Sequence, residues 1–263
     1  MIGFIGCGNM ATAMMKGIIN NNIIAKKDII GADLLKTSLD KMQTEMGICI
    51  TSDNKEAAKN SEILVLSVKP QFYEDVIDEI KDSVTENQLI ITIAPGKTLE
   101  WLEKQFDKPI KIVRTMPNTP ALVGEGITAV CCNQYVEQEE LERVVSILEG
   151  LGKCEVVPEH LMDVVVSVSG RSPAYVFMFI EAMADAAVAD GMPRTQAYEF
   201  AAQSVLGSAK MVLESGKHPG ELKDMVCSPG GTTIEAVRIL EEKGMRSAVF
   251  EAMKACTRKA KGM

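Results

Sequence analysis

The chain has 263 residues, 46% of them hydrophobic and 24% charged, with a net charge of −8. That is enough apolar material for a packed core, in one large domain or two moderate ones. An acidic balance of this size argues against a nucleic-acid groove and against an anionic membrane surface, both of which need a basic patch.

No apolar run looks long enough to span a bilayer. Met1-Ile-Gly-Phe4 enters a strand with no basic leader, so no signal peptide is expected. Seven cysteines without a C-x-x-C and two isolated histidines, His160 and His218, predict reduced thiols in a cytoplasmic protein and no metal site. The adjacent Cys131 and Cys132 read as small apolar strand residues.

Ile2 to Ile5 is a short strand. It breaks into Gly6-Cys7-Gly8-Asn9-Met10-Ala11, and Thr12 to Asn21 then has helical spacing, with Met14, Met15, Ile18 and Ile19 on one face. Strand, glycine turn and helix open a dinucleotide-binding βαβ unit. Gly6 allows a tight turn, Gly8 lets a pyrophosphate approach the backbone, and Ala11 lets the helix pack on the strand. The helix N-terminus then offers free N–H groups to phosphate. Alone, G-x-G-x-x-A also fits a glycine turn in other α/β proteins; its place between strand and helix favours the dinucleotide.

Asp28 to Ala32 is a second strand, ending at Asp33. An acid about this far past the glycines can accept from adenine-ribose hydroxyls; the competing role is a turn or cap residue before a helix around Leu39 to Met46. Ile48 to Thr51 is a strand, and Ser52 or Asp53 caps a helix through Lys59. Ile63 to Val68 reads as a buried parallel strand. It runs into Ser67-Val68-Lys69-Pro70, which faces the cofactor in an open α/β sheet. Tyr73 to Ile80 (helix), Leu89 to Ile93 (strand), Thr98 to Phe106 (helix) and Ile110 to Arg114 (strand) continue the alternation. Met116 to Pro120 is an extended turn. Ile127 to Cys132, a helix over Glu137 to Leu151, and a strand over Lys153 to Val157 complete a Rossmann-like, doubly wound, mostly parallel α/β sheet over residues 1–158.

From Glu159 only helices are expected, giving an all-α C-terminal domain over 159–263. Ala174 to Ala189 is apolar nearly all round and predicts burial on every side. A helical domain of this size needs a partner subunit to provide that. Helices follow over Pro193 to Ser215, Pro219 to Val226 and Ile234 to Lys243, and Ser247 is expected to cap the last one. Before Ile234 stands Ser228-Pro-Gly-Gly-Thr-Thr233. It reads as a second anion-binding concavity, suited to a small carboxylate, or as a capped helix start.

Four motifs carry a resemblance over essentially the whole chain: Gly6 to Ala11, Ser67 to Pro70, Met116-Pro-Asn-Thr-Pro120, and Glu221-Leu-Lys-Asp224 running into Ser228 to Thr233. Arg246-Ser247 after Gly244 also fits. The chain resembles the pyrroline-5-carboxylate reductase family, enzymes that use NAD(P)H in the last step of proline synthesis. The resemblance implies that Ser67, Val68, Lys69 and Pro70 line the nicotinamide side of the cofactor. Asn54 stands on its ribose side, and Ala94, Pro95 and Gly96 border the same cleft. It implies that Ser228, Gly230, Gly231, Thr232 and Thr233 hold the substrate carboxylate and ring nitrogen, with Glu159 close by and Thr233 orienting the imine. It also implies a homodimer through interlocked C-terminal helices, on which a higher oligomer can be built.

The reaction so implied is hydride transfer to the C=N of L-1-pyrroline-5-carboxylate, an imine carboxylate. A protonated imine is a strong electrophile, so positioning matters more than a strong acid. Asp33 favours NADH, because Leu34 to Ser38 contains no Arg to clamp a 2′-phosphate. Two stretches depart from the family pattern. Arg171-Ser172 stands where the family usually has Ser-Gly, so Arg171 is expected to pair with an acid such as Glu159 or to narrow the site. Ala94-Pro95 replaces a pair of alanines. The competing functions are a related imine or hydroxy-acid oxidoreductase, for which Lys210 is the available base, and a non-catalytic dinucleotide sensor.

Overall fold

The structure, a computed structural model, describes residues 1–262. Eight strands form one sheet: β1 (Ile2–Ile5), β2 (Ile29–Ala32), β3 (Cys49–Thr51), β4 (Ile63–Leu66), β5 (Leu89–Thr92), β6 (Lys111–Met116), β7 (Gly126–Cys132) and β8 (Gly152–Val156), in the order β3-β2-β1-β4-β5-β6-β7-β8. Every pair is parallel except β6 and β7, where Val113 lies opposite Cys132 and Met116 opposite Ala129. Their connection has room only for a 3₁₀ turn at Thr119–Val123. A parallel crossover needs a dozen or more residues, so the chain turns back.

Six helices alternate with the strands: α1 (Asn9–Asn20), α2 (Lys36–Met46), α3 (Asn54–Asn60), α4 (Tyr73–Ile80), α5 (Leu99–Phe106) and α6 (Gln138–Glu149). The apolar spacing decides which face each one buries. In α4, Tyr73, Val76, Ile77 and Ile80 point inward, the i, i+3, i+4, i+7 pattern of a one-faced helix. In α6 a capping box between Glu137 and Glu140 fixes the start. The core joins Phe4, Val65, Ile91 and Val113 of the sheet to Met14, Met15 and Ile18 of α1 and to Val144 and Leu148 of α6. Helix α1 begins at Asn9 and not at Thr12, because the Gly8 carbonyl already accepts from the Thr12 N–H at 2.9 Å.

After β8 come α7 (Met162–Val165), a π-helical turn (Val166–Gly170), α8 (Ser172–Ala189), α9 (Arg194–Ser215), α10 (Pro219–Val226), α11 (Thr232–Glu242) and α12 (Met245–Ala260). The chain divides into two compact units, Met1–Arg171 with the end of the chain from Thr257, and Ser172–Cys256. In the second, α8 and α9 approach closely through Ala184, Ala197 and Ala201.

Within a single chain α8 buries only Ala184, while Phe177 is 59% and Met178 68% exposed. Two expectations are corrected. By length and composition the stretch Glu159–Ala189 does reach a membrane-spanning length. Helix α12 begins at Met245, where the Gly244 carbonyl accepts from the Ala248 N–H at 2.9 Å. Ser247 therefore lies inside the helix and does not cap it.

Candidate active site

Strands β2 and β4 flank β1, so the winding reverses there and a crevice opens at the carboxyl ends of β1 and β4. Gly6 has φ +95°, and a Cβ there would come within 2.9 Å of the Ser67 carbonyl carbon and of the Val68 nitrogen. Ser67 Oγ donates to the Gly6 carbonyl at 2.6 Å and to the Ile5 carbonyl at 3.0 Å. The two sequence motifs are thus one clamped unit. A Cβ on Gly8 would meet nothing within 4 Å. The first turn of α1 therefore presents its N–H groups to an open seat of the kind a pyrophosphate fills. Asn9 is exposed there, Met10 half-buried, and Ala11 buried against the sheet.

Asp33, at the end of β2, accepts from the Cys7 N–H at 2.7 Å and from the Leu35 N–H at 2.9 Å. It ties the glycine turn to the turn before α2. It does not cap α2, whose N-cap position is Leu35 and carries no side-chain cap. The Cys7 thiol is pushed up to about 12 by burial and, secondarily, by the Asp33 charge, so it stays protonated. Asn54 opens α3 and is buried, its Nδ2 donating to Glu79 Oε2 at 2.8 Å. Behind Ser67, the buried Tyr73 hydroxyl donates to the Leu66 carbonyl and accepts from Thr92 Oγ1 at 2.9 Å. This pins the ends of β4 and β5. Burial pushes the Tyr73 phenol above its ordinary range, so it too stays protonated. In the neighbouring stretch Lys69 is exposed, Val68 and Pro70 are half-buried, and the seven cysteines are all free thiols.

A cavity of about 130 Å³ lies beside these elements, walled by Met10, by Ile93 and Pro95, by Met116 to Thr119, and by Gly170 and Arg171. Ala94 is buried between the wall residues Ile93 and Pro95 in sequence, and Gly96 is exposed with φ +75°. Asn118 braces the walls: its Nδ2 donates to the Ser169 carbonyl at 3.2 Å and its Oδ1 accepts from the Ile127 N–H at 3.0 Å. Walls that mix apolar side chains with polar groups such as Asn118 and Thr119 suit a flat, partly apolar ligand. Sequence reasoning did not count Met116, Pro117, Asn118, Thr119 or Gly170 among the site residues. For Met116 to Thr119 the available signal was their position at the carboxyl end of a strand; Gly170 had none.

Glu159 Oε1 accepts from the Leu99 N–H at 2.7 Å and from Arg114 Nη1 at 2.9 Å. The partner expected for Glu159, Arg171, is not the one found: Arg171 is exposed at the cavity wall, and the buried Arg114 takes its place. In the helical unit the Gly231 N–H donates to the Ser228 carbonyl at 3.0 Å and Gly230 has φ +67°. Helix α11 starts at Thr232, two residues earlier than expected, with Gly231 at its N-cap and no side-chain cap. The capped-start reading of Ser228 to Thr233 therefore fails, and the N–H groups of that first turn have no side-chain acceptor. Lys210 lies on the exposed face of α9, its Nζ 3.6 Å from Glu214 Oε1. Among the described residues no cluster of His, Cys, Asp and Glu could hold a metal.

A clamped glycine turn with an open seat at the switch point is a dinucleotide-binding geometry, and the chain's relatives make it an NAD(P)-dependent oxidoreductase. Residues 1–96 match the family described as NADP oxidoreductase coenzyme F420-dependent, and residues 159–263 match Pyrroline-5-carboxylate reductase dimerisation. The chain is 51% identical to the pyrroline-5-carboxylate reductase of Escherichia coli strain K12, over 98% of this chain and 96% of that one. With the pyrroline-5-carboxylate reductase of Methanosarcina acetivorans the identity is 42%, over 99% and 96%. Among solved structures, the pyrroline carboxylate reductase of Plasmodium falciparum with NADP bound superposes with a TM-score of 0.91 at 34% identity, covering 99% of this chain and 97% of that one. The chain belongs to the pyrroline-5-carboxylate reductase family.

Proposed function

We propose that the chain reduces L-1-pyrroline-5-carboxylate to L-proline with NAD(P)H, the last step of proline biosynthesis. The observation that carries this is identity of 51% along nearly its full length to a reductase of that name. The dinucleotide, when bound, supplies a hydride from nicotinamide C4 to the imine carbon. Gly6, Cys7, Gly8, Asn9, Met10 and Ala11 seat its pyrophosphate on α1. Asp33 and Asn54 take the ribose side, and Ser67 to Pro70 with Ala94, Pro95 and Gly96 take the nicotinamide side. Ser228, Gly230, Gly231 and Thr232 hold the substrate carboxylate. Thr233 Oγ1 accepts from the protonated imine nitrogen and orients it for attack. Glu159 belongs to the substrate set by resemblance.

The cofactor reading goes further: NADH is the better donor, because Asp33 carries a charge that repels a 2′-phosphate and Lys36 is the nearest cation in sequence. The domain reading is a dinucleotide-binding domain over 1–158 and a helical dimerisation and substrate domain over 159–263. The homodimer forms through the C-terminal helices, whose exposed Phe177 and Met178 need a cover, and dimers can build a higher oligomer. The cytoplasmic placement rests on the free thiols.

The test is NAD(P)H consumption with pyrroline-5-carboxylate, beside hydroxy acids offered with NAD(P)⁺. Turnover of the imine alone is expected. Oxidation of a hydroxy acid at a comparable rate would overturn the substrate, and dinucleotide binding with no turnover would overturn the enzyme.

A further inference from the structure

Arg114 is a buried cation, 5% exposed, near the carboxyl end of β6, and nothing in the reaction above uses it. A buried guanidinium is costly unless it is paired and hydrogen-bonded. Its partners are Glu159 Oε1 at 2.9 Å and Asp163 Oδ1 at 3.8 Å. The same Glu159 oxygen accepts from the Leu99 N–H at 2.7 Å, at the first residue of α5. One carboxylate oxygen therefore joins three segments of chain.

Each segment continues into a wall of the cavity. Ile93 and Pro95 shortly precede Leu99. Met116 lies two residues past Arg114. Asp163 leads through α7 and the π-helical turn to Gly170 and Arg171. The walls also touch one another: a Cβ on Gly170 would come within 2.8 Å of Met116 Cε, and Asn118 Nδ2 donates to the Ser169 carbonyl at 3.2 Å. A displacement at the ion pair therefore has a packed route to the cavity.

We infer that Arg114, acting through Glu159, is a positioning residue that sets the spacing of the cavity walls where nicotinamide and imine meet. This rests on the imine-reductase reading. Glu159 then serves the substrate by holding those walls.

Misplacement by about 1 Å from a remote change lowers turnover by roughly a hundredfold in such cases. Arg114→Met is expected to lower kcat for pyrroline-5-carboxylate by about ten- to a hundredfold. NAD(P)H affinity, read from Trp101 quenching, should stay within about twofold and the sedimentation mass unchanged. Arg114→Lys should recover most of the loss. Glu159→Gln should fall between, and the double variant no further than Arg114→Met, since residues of one network are non-additive.

Wild-type kcat in Arg114→Met would overturn the inference. So would an additive double variant in which Glu159→Gln costs more than Arg114→Met, because Glu159 would then act on substrate by itself. Equal losses of kcat and cofactor affinity would mean a general structural role and also overturn it. Should Arg114→Met not fold, Arg114→Lys combined with Glu159→Gln decides: loss of kcat at kept cofactor affinity supports the inference, and wild-type kcat refutes it. A wild type that leaves the imine untouched would fell the reaction itself; an active wild type with an unimpaired variant fells this inference alone.

Discussion

The two glycine turns, Gly6 to Ala11 and Ser228 to Thr233, look alike in sequence and are held by different means. The first is walled by Ser67 and Val68, bonded through Ser67 Oγ, and tied by Asp33 to the end of β2. All of these clamps come from the sheet that carries it. The second also has a left-handed glycine, Gly230, yet a Cβ there would meet nothing within 4 Å, and its backbone bond from Gly231 to Ser228 is local. A turn clamped by a core is preorganised, and one held by local bonds gains its order from what binds it or packs on it. Cofactor binding should therefore be robust to changes in the helical unit, and imine turnover sensitive to them.

The largest expected effect comes from breaking the assembly. Burying one Phe or Met side chain contributes about 1.5–3 kcal/mol, and a dimer would do so in both copies. Phe177→Glu with Met178→Glu should dissociate the dimer and lower kcat/KM for the imine at least about a hundredfold, a 2.7 kcal/mol effect. Dinucleotide affinity should stay within a few-fold. Sedimentation and a dinucleotide titration check both halves. A folded, active wild-type monomer at micromolar concentration would break the comparison.

Substitution within the turns comes next. Gly6→Ala forces a side chain into a left-handed backbone against Ser67 and Val68, at a cost of about 1–3 kcal/mol. Dinucleotide affinity should fall about tenfold or more, with a lowered Tm. Gly230→Ala meets the same backbone strain without a collision. It should raise the imine KM a few-fold and leave the dinucleotide titration where it was. Equal effects of the two changes on cofactor binding would contradict the difference drawn between the turns.

Thr233→Ala removes one positioned hydrogen bond, about 1–3 kcal/mol when the partner is charged. Imine kcat/KM should fall between about fivefold and a hundredfold, with dinucleotide affinity nearly unchanged. Helix α11 should keep its start, since Thr233 does not cap it. Unaltered turnover would remove Thr233 from the reaction.

The first turn was legible because its causes are local in sequence. An apolar run, two glycines and a one-faced helix stand side by side, and the strand rhythm that follows gives the sheet. The antiparallel β7 was not legible, since Ile127 to Cys132 has the same apolar character as a parallel strand. What decides its direction is the short connection after Met116. Arg114 was hidden for a different reason: an arginine at a strand end reads as a solvent-facing charge, and its partner Glu159 is distant in the chain. The π-helical turn at Val166–Gly170 was hidden because Ser and Gly read as a break. Chain-distant pairing also kept the Met116 to Thr119 wall out of the site read from sequence.

The smallest effect tests what the Asp33 carboxylate does besides holding the first turn. Its two oxygens already accept from the Cys7 and Leu35 N–H groups, at 2.7 and 2.9 Å. A carboxylate offers about four lone-pair sites, so two ribose hydroxyls can still be accepted. Against the 2′-phosphate of NADPH, a carboxylate about 4 Å from one phosphate charge costs up to roughly 4 kcal/mol at an effective dielectric near 20. Solvent at this half-exposed site, with movement of the exposed Lys36, should reduce that to about 1.4 kcal/mol, a tenfold preference. The wild type should therefore show the higher kcat/KM with NADH at fixed imine. Asp33→Ser should shift the ratio about tenfold towards NADPH, and Asp33→Asn should do the same while keeping an acceptor for one of the two N–H groups. If Asp33→Asn moves the ratio and Asp33→Ser also weakens both donors, charge and tether are separate roles of one side chain. A wild type that prefers NADPH would mean that the carboxylate serves the turn alone.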